Sequence, residues 1–281
     1  TWDPVLVERL YVMEGKELQQ NQIDLLLGPG MNIHRHPLNG RNFEYFSEDP
    51  LVTGMMAVAM VNGIRSGGGI ATLKHFACNN QEHARAQADS VVSARALREI
   101  YLKGFEYAVK QGSAMAIMTA YNPINGHWSA SNYCLNTTIL RDDWGFRGIV
   151  MTDWWAKMND AINGGVATGN NIAAMIRAQN DLYMVVNNNV PEINASDDNT
   201  LTALEEGTLT LGELQRCAHN ILMFMLHTQV VKRGDKPKVN VPTIAADRTL
   251  FIEDAIKIAP ESRLRFSDTL AIYIEDGCVY D

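Results

Sequence analysis

Residues 144–155 read WGFRGIVMTDWW, and this stretch decides the fold. Its apolar part, Gly148–Thr152, follows an amphipathic segment near Leu135–Trp144 and stops at a carboxylate, Asp153. A short apolar run bounded in this way predicts a buried strand of a parallel sheet, entered from a helix. Asp153 would then lie just past the carboxyl end of the strand, where α/β folds place the groups of their active sites.

The same alternation of short apolar runs and longer amphipathic segments extends to both sides of this stretch. Four further runs are candidate strands: Ile23–Leu27, Ile70–Leu73, Ala116–Thr119 and Leu182–Val186. Helix starts are indicated by Asp3-Pro4, Asp49-Pro50, Ser93 and the capping box of Thr210 with Glu213. The pattern predicts an α/β fold with a mainly parallel sheet. Because a helix precedes the first strand, we expect the fold to be incomplete at its N-terminus.

Three regions with different sequence patterns follow one another along the 281 residues. Residues 1–190 carry the strand and helix pattern, residues 191–231 combine a polar loop with helices, and residues 232–281 form a C-terminal tail. Prolines interrupt the tail, so we expect short extended pieces there. The helix that follows the capping box has a predicted apolar side made of Leu214, Cys217, Ile221, Leu222 and Met225.

Composition narrows the choice of partners. The net charge of −8 argues against a nucleic-acid partner and against an anionic membrane surface. No run of 18 apolar residues is present, so we expect no membrane span. The four cysteines have no C-x-x-C spacing, which is untypical of a zinc site and favours a reducing, cytoplasmic compartment.

Polar and aromatic residues follow several of the candidate strands. Arg41 and Glu44 come after the first strand, Lys74-His75 after the second, Tyr121 after the third, and Asp153-Trp154 after the fourth. If these strand ends meet at one rim, cations, a carboxylate and aromatic rings converge there. Such a set suits a sugar, since ring faces stack on its C–H groups while charged groups bind its hydroxyls.

Each of these residues also has a plainer interpretation. An aspartate at a strand end often caps the next helix, and Arg41 with Glu44 is spaced for a local salt bridge. Lys74 could be an ion-pair partner inside the sheet, or a Schiff-base lysine as in aldolases. Tyr121 could be a half-buried core aromatic. The agreement of four strand ends is the argument for a site.

Five longer strings resemble glycoside hydrolase family 3, in family order and spacing. They are LLGPGMNIHRHPLNGRNFEYFSEDP (26–50), ATLKHFACNNQE (71–82), RALREIYLKGFEYAV (95–109), MTAYNPING (118–126) and WGFRGIVMTDWW (144–155). The resemblance implies a (β/α)8 TIM-type barrel, so that residues 1–190 would be a partial barrel bearing the nucleophile and residues 191–231 its closing loop and helices. It also implies a retaining β-glycoside hydrolase similar to β-glucosidases, acting on a β-linked oligosaccharide or glycoside, with no cofactor and no metal.

The resemblance carries roles to individual positions. Asp153 matches the family nucleophile, which forms a covalent glycosyl-enzyme. Arg41, Lys74, His75, Tyr121 and Trp154 match substrate-binding residues around the first sugar, and Glu44 supports the Arg41 loop. From the cations nearby, Lys74 and Arg41, we expect a lowered pKa for Asp153.

The second carboxyl group that a retaining mechanism requires has no match in this sequence. In the β-glucosidase-like branch of the family, the acid/base glutamate comes from a second α/β domain, which we expect in the same enzyme or in another chain. A second branch uses a histidine after Lys-His-Phe-Pro-Gly, whereas here Lys74-His75-Phe76 continues as Ala77-Cys78, so His83 is not assigned that role. The isolated chain is therefore expected to have little activity; the alternative is a non-catalytic carbohydrate-binding or structural remnant.

Overall fold

The computed structural model describes residues 2–185 and 194–233, together with the backbone of three short strands between 264 and 280. A five-stranded parallel sheet curled into a half-barrel forms its centre, with the strand order β1-β2-β3-β6-β9. These strands are β1 (Leu25–Leu26), β2 (Ile70–Phe76), β3 (Ala116–Thr119), β6 (Ile149–Trp154) and β9 (Leu182–Met184). The prediction of an α/β fold with a parallel sheet is confirmed.

The remaining strands pair outside the central sheet. They are β4 (Pro123–Ile124) with β5 (His127–Trp128), β7 (Met158–Asp160) with β8 (Gly164–Thr168), and the antiparallel β10 (Leu264–Ser267), β11 (Leu270–Glu275) and β12 (Cys278–Tyr280). The first two hairpins follow β3 and β6, so they belong to the connections at the carboxyl ends of those strands.

Helices precede, connect and follow the strands of the sheet. They are α1 (Pro4–Gln20), α2 (Pro50–Ser66), α3 (Ala94–Ala96), α4 (Lys103–Lys110), α5 (Ile172–Arg177), α6 (Thr200–Glu205), α7 (Leu211–Met225) and α8 (Gln229–Arg233). Two further segments, Leu97–Tyr101 and Cys134–Asp143, are π-helical. The predicted starts are confirmed: Asp3, Asp49 and Ser93 each accept backbone N–H bonds, and Thr210 with Glu213 forms the capping box.

The predicted strand limits need small corrections. Ile70–Leu73 continues to Phe76, and Gly148–Thr152 lies at Ile149–Trp154. Ile23–Leu27 shortens to Leu25–Leu26, while of the last candidate Leu182–Met184 is a strand and Val186 lies outside the described residues. The two strands that lengthen do so at their carboxyl ends, because hydrogen bonds to the neighbouring strands carry them past the end of the apolar run.

The sheet separates two apolar clusters. The outer cluster packs the sheet against α2 and α4, and in it the Phe76 ring meets Phe105 and Trp144 edge to face at centroid distances of 5.2 and 6.0 Å. Aromatic contacts of this kind contribute about 1 kcal/mol each beyond area burial. The inner cluster lines the concave side and includes Met118, Met151 and, partly buried, Trp154. Phe76 thus anchors the outer side of the strand that carries His75.

Helix α7 was predicted to bury five apolar residues, and the structure corrects two of them. Cys217 is buried and Leu214 and Ile221 are partly buried, whereas Leu222 and Met225 are 62% and 42% exposed. The buried side of the helix is narrower because α7 packs on α5 and on the inner cluster, and no other described element covers its far side.

Candidate active site

Both strands that carry the central site residues are irregular at those residues. Between paired positions, β2 has one more residue than β3 at Lys74–His75, and β6 has one more than β9 at Thr152–Asp153. An extra residue of this kind interrupts the strict alternation of side chains and re-aims a side chain. The two irregularities lie at the carboxyl ends of their strands, on the same side of the half-barrel.

Asp153 lies at the mouth of the half-barrel, near the end of β6, with 6% of the residue exposed. Its Oδ1 accepts a hydrogen bond from the backbone N–H of Trp154 at 2.8 Å. Its Oδ2 lies 3.6 Å from Nε2 of His75 on β2. The backbone bond fixes one carboxylate oxygen and leaves the other facing the site.

His75 is held from both its backbone and its ring. The backbone N–H donates to Asn32 Oδ1 at 2.9 Å, and Asn32 Nδ2 donates to the His75 carbonyl at 2.8 Å. The ring Nδ1 lies 3.3 Å from the Tyr45 hydroxyl. Burial, with the charges of Arg41, Lys74 and Arg85, holds the pKa of His75 well below its ordinary value of 6.5, so the ring is neutral at pH 7.

Arg41 and Lys74 meet on Glu44. Arg41 Nε pairs with one oxygen of Glu44, and Lys74 Nζ lies 3.4 Å from the other. All three side chains are between 16% and 20% exposed, so water screens the pairs only in part. The local salt bridge that the Arg41–Glu44 spacing predicted is therefore present. The same Glu44 carboxylate also binds the Lys74 ammonium group.

Tyr121 and Trp154 border the carboxylate on its other side. The Tyr121 hydroxyl donates to the Trp154 carbonyl at 2.6 Å. Burial and the negative charge of Asp153 raise the pKa of Tyr121 to about 12, so the phenol stays protonated in the neutral range. The Trp154 side chain is half-buried and packs on the inner cluster.

Arg85 belongs to the same group, although it was not among the residues predicted from the sequence. Its guanidinium lies 4.6 Å from the centre of the Tyr121 ring and 2.7 Å from Glu82. Its charge is one of those that act on Asp153. A sequence signal exists, since the polar run Asn79-Asn80-Gln81-Glu82 follows β2 after two intervening residues and lies shortly before Arg85.

The pKa of Asp153 differs from the expectation. Burial raises it above its ordinary value, and this outweighs the backbone bond from Trp154, the hydroxyl of Tyr121 and the charges of Arg85 and Arg41, all of which lower it. Arg41 thus acts in the predicted direction, but desolvation of the carboxylate is larger.

Two further findings concern what the described residues contain. Among them, no group of three or more histidine, cysteine, aspartate or glutamate side chains is arranged to hold a metal ion. In that same part of the chain, no helix has the length and apolar character needed to cross a bilayer.

Comparison with known proteins identifies the class. Residues 1–223 match the model described as the glycosyl hydrolase family 3 N terminal domain. The chain therefore belongs to glycosyl hydrolase family 3, which the motifs in the sequence predicted. A match over this span fits a half-barrel with polar residues at its strand ends.

Three similar proteins are described as β-glucosidases. A β-glucosidase of Ruminococcus albus is 47% identical over 97% of this chain and 30% of its own length. The solved β-glucosidase of Paenibacillus barengoltzii is 67% identical with a TM-score of 0.82, over 85% of this chain and 26% of that one. β-Glucosidase 3B of Thermotoga neapolitana, in complex with α-D-glucose, is 38% identical with a TM-score of 0.79, over 91% and 34%. The chain thus spans about a third or less of the length of these relatives.

Proposed function

We propose that this chain is the nucleophile-bearing part of a retaining β-glycosidase, with Asp153 as the attacking carboxylate. The observation that supports this most directly is the placement of Asp153: it is a nearly buried carboxylate at the mouth of a half-barrel, with one oxygen fixed and the other toward His75. Membership of a glycoside hydrolase family supplies the reaction class.

In the first step, Asp153 Oδ2 bonds to the anomeric carbon while the bond from that carbon to the leaving oxygen breaks. Positive charge develops on the sugar ring, and the ionised carboxylate stabilises it. In the second step, water displaces the carboxylate and releases the sugar with its original configuration. Only the ionised form of Asp153 can attack, so we expect the acidic limb of the rate profile to lie above the ordinary range for an aspartate.

We assign sugar recognition to Arg41, Lys74, His75, Tyr121 and Trp154, and add Arg85. Arg41 and Lys74 are held by Glu44, so their donors are fixed in direction before a ligand arrives. Trp154 would supply an apolar ring face. Lys74 is engaged in an ion pair, an arrangement that supports hydroxyl binding better than Schiff-base chemistry.

The acid/base group is proposed to come from outside this chain. The described sheet has five parallel strands, three fewer than a closed (β/α)8 barrel, and the relatives are about three times as long. We therefore propose that the rest of the barrel and an α/β domain with the acid/base glutamate are supplied by a longer polypeptide or by another chain. Paired catalytic groups act as a unit, so the isolated chain should turn over ordinary glycosides very slowly.

The test is labelling of the isolated chain with 2-deoxy-2-fluoro glycosides that carry an activated leaving group, followed by peptide mass mapping. Such a leaving group needs no proton, so the missing acid does not prevent the first step. A panel of gluco, xylo and galacto reagents also reports the preferred sugar. We expect the label on Asp153.

The matched control is an exposed aspartate of the segment that precedes β6. Asp142→Asn should be labelled like the wild type, whereas Asp153→Asn should not be labelled at all. A label on another residue, or labelling of Asp153→Asn at the wild-type rate, would refute the assignment. A wild-type chain that is folded but never labelled would favour the non-catalytic alternative.

A further inference from the structure

The His75 ring is neutral and therefore carries one proton on one of its two nitrogens. The ring nitrogens face different neighbours, since Nδ1 meets the Tyr45 hydroxyl at 3.3 Å and Nε2 meets Asp153 Oδ2 at 3.6 Å. Whichever nitrogen holds the proton decides whether His75 presents a donor or an acceptor to the mouth of the site. The neighbours on the Nδ1 side therefore bear on the chemistry.

Tyr45 is built into the fold at this position. It is 5% exposed, and its ring packs edge-on against His75 with a centroid distance of 6.4 Å. Gly30, which follows β1, makes room for it: a Cβ at Gly30 would lie 2.9 Å from Tyr45 Cε1. Burial raises the pKa of the Tyr45 hydroxyl, so this group keeps its proton throughout the neutral range.

The direction of the Tyr45 proton follows from its other neighbour. Asn79 Nδ2 donates to the Tyr45 oxygen at 3.2 Å and to Glu82 Oε1 at 3.4 Å. Glu82 pairs with the Arg85 guanidinium at 2.7 Å, and a carboxylate in such a pair accepts hydrogen bonds, so Asn79 turns its NH₂ group toward it. The same NH₂ group occupies the Tyr45 oxygen as a donor, which leaves the hydroxyl proton free to point at Nδ1.

We propose that Tyr45 is a positioning residue: through its hydroxyl it holds the neutral His75 ring as the Nε2–H tautomer, with that N–H directed toward Asp153. The inference rests on the proposed function for its catalytic meaning. The proposal adds a chain of hydrogen-bonded side chains that determines which ring nitrogen of His75 carries the proton. Its members are Arg85, Glu82, Asn79 and Tyr45.

The tautomer has a direct consequence for a bound sugar. With the proton on Nε2, His75 donates to a sugar hydroxyl that lies beside Asp153, and that hydroxyl can direct its own proton at the carboxylate. With the proton on Nδ1, the lone pair of Nε2 would face the Asp153 oxygen, and the donor would be lost. Tyr45 thereby fixes the direction of hydrogen bonding at the reacting end of the site.

The test is long-range proton–nitrogen NMR correlation on the chain labelled with nitrogen-15 histidine, which separates protonated from unprotonated ring nitrogens. The signals of His75, one of seven histidines, are assigned with a His75→Gln variant. At neutral pH we expect Nε2 in the protonated range and Nδ1 in the unprotonated, hydrogen-bonded range. Protonation of Nδ1 in the wild-type chain would overturn the proposal.

Two variants separate a proton-directing role from plain packing. Tyr45→Phe keeps the ring and removes the donor, so the Nδ1 signal should shift toward the value of a nitrogen without a hydrogen bond. Tyr107→Phe, on α4 beneath Lys103, is the matched control and should leave His75 unchanged. Asn79→Asp offers Tyr45 a second acceptor, so the His75 proton should move to Nδ1. An unshifted Nδ1 signal in Tyr45→Phe, or an unmoved proton in Asn79→Asp, contradicts the proposal.

The rate of the phenol burst from a 2,4-dinitrophenyl glycoside, which keeps every sugar hydroxyl, supplies the functional readout. Tyr45→Phe should lower this rate about tenfold, as expected for one hydrogen bond made in the transition state, while Tyr107→Phe should not change it. A burst in Tyr45→Phe at the wild-type rate would exclude the positioning role. If the wild-type chain is not labelled, the proposed function fails, whereas the NMR measurement still decides whether Tyr45 sets the tautomer.

Discussion

The stability of the fold and the proposed reaction favour opposite protonation states of the Asp153 carboxyl group. The proposed role as nucleophile requires the ionised form, whereas burial disfavours the charge and raises the pKa of Asp153. A carboxyl group whose pKa is higher in the folded chain than in the unfolded chain stabilises the fold at low pH, and this contribution disappears as the pH rises through the folded pKa. At neutral pH the fold therefore bears the cost of a desolvated charge, as functional sites often do.

This cost leads to a prediction for Asp153→Asn. The amide cannot ionise, so the variant should unfold at a higher temperature than the wild type at pH 7. The difference should shrink as the pH falls, because the wild-type carboxyl then becomes protonated and the desolvated charge disappears. Thermal unfolding at several pH values measures this, with Asp142→Asn as the exposed control that should show no such gain. A variant less stable than the wild type at pH 7 would mean that the hydrogen bonds of the carboxylate outweigh its desolvation.

At this scale the sequence supplied most of the candidate site. The structure brings Arg41, Lys74, His75, Tyr121 and Asp153 to one mouth, because parallel strands present their carboxyl ends on the same side. Arg85 was missed since it lies inside the long loop between β2 and α3, where spacing along the chain does not determine position. The net pKa of Asp153 was also mispredicted, because desolvation depends on packing around the strand end, which no local pattern contains.

At the scale of elements, α1 and α2 cross at very short range. A Cβ at Gly63 would lie 2.4 Å from the carbonyl oxygen of Glu8, and one at Gly15 would lie 2.4 Å from that of Ile64. The missing side chains allow the two helix backbones to touch. The caps predicted the helix starts here, yet the contact itself involves glycines inside the helices, which sequence patterns indicate only as weak helix formers.

The crossing predicts that Gly63→Ala destabilises the chain. Alanine favours a helix by about 1 kcal/mol, but the methyl group would have to push α1 away, at a cost of about 1–3 kcal/mol beyond that gain. Urea unfolding should show the loss as a lower midpoint. Ser66→Ala, at the exposed end of α2, should be neutral or slightly stabilising. A Gly63→Ala chain as stable as the wild type would show that the crossing can open without penalty.

A buried ion pair connects the π-helical segment Cys134–Asp143 with β6 and α7. Arg141, in the π-helical segment, lies 2.6 Å from Asp181, which also accepts from the Val150 N–H at 2.9 Å and from Asn220 of α7 at 2.8 Å. The two side chains are 5% and 0% exposed. No pairing of these residues followed from the sequence, since they lie 40 positions apart and only the register of β6 and β9 brings them together.

Asp181→Asn should therefore cost about 3–5 kcal/mol, because it leaves the Arg141 charge buried without a counter-charge. The matched control is the surface pair of Arg98 with Asp143, at 2.8 Å and nearly half exposed, where Asp143→Asn should cost at most about 1 kcal/mol. Chemical unfolding of both variants measures the difference. Similar losses in the two variants would show that water reaches the Arg141 side of the half-barrel.

At the scale of the whole molecule, the described sheet has two open edges, β1 and β9. The helices that follow β9 lead back toward β1, where the Gln229 N–H of α8 donates to Asp24 at 2.7 Å. Local patterns predicted the helices and strands. The curl of the sheet and the packing of α8 near β1 depend instead on long-range contacts. The domain limits at 190 and 231 stay predictions, as does the proposed supply of the acid/base from elsewhere.

The proposed division of labour predicts a specific response to azide. With a 2,4-dinitrophenyl glycoside, the isolated chain should release the phenol once and then stall as a glycosyl-enzyme, because water attacks slowly without a general base. Azide is a nucleophile that needs no base, so it should raise turnover by about 100-fold, the usual contribution of such a group. The product should be the β-glycosyl azide, since two displacements retain configuration.

Product analysis and steady-state rates with and without azide make the measurement, and Asp153→Asn should show neither burst nor rescue. Full turnover without azide would mean that a competent base lies within these 281 residues. The first residues to substitute would then be the two carboxylates on the site's cations, Glu44 and Glu82. Both are paired with cations, Glu44 with Arg41 and Lys74 and Glu82 with Arg85, so either carboxylate would have to leave an ion pair to reach a leaving oxygen. The charge pairs of the site thus argue for an acid/base from outside the chain, and the azide response decides it.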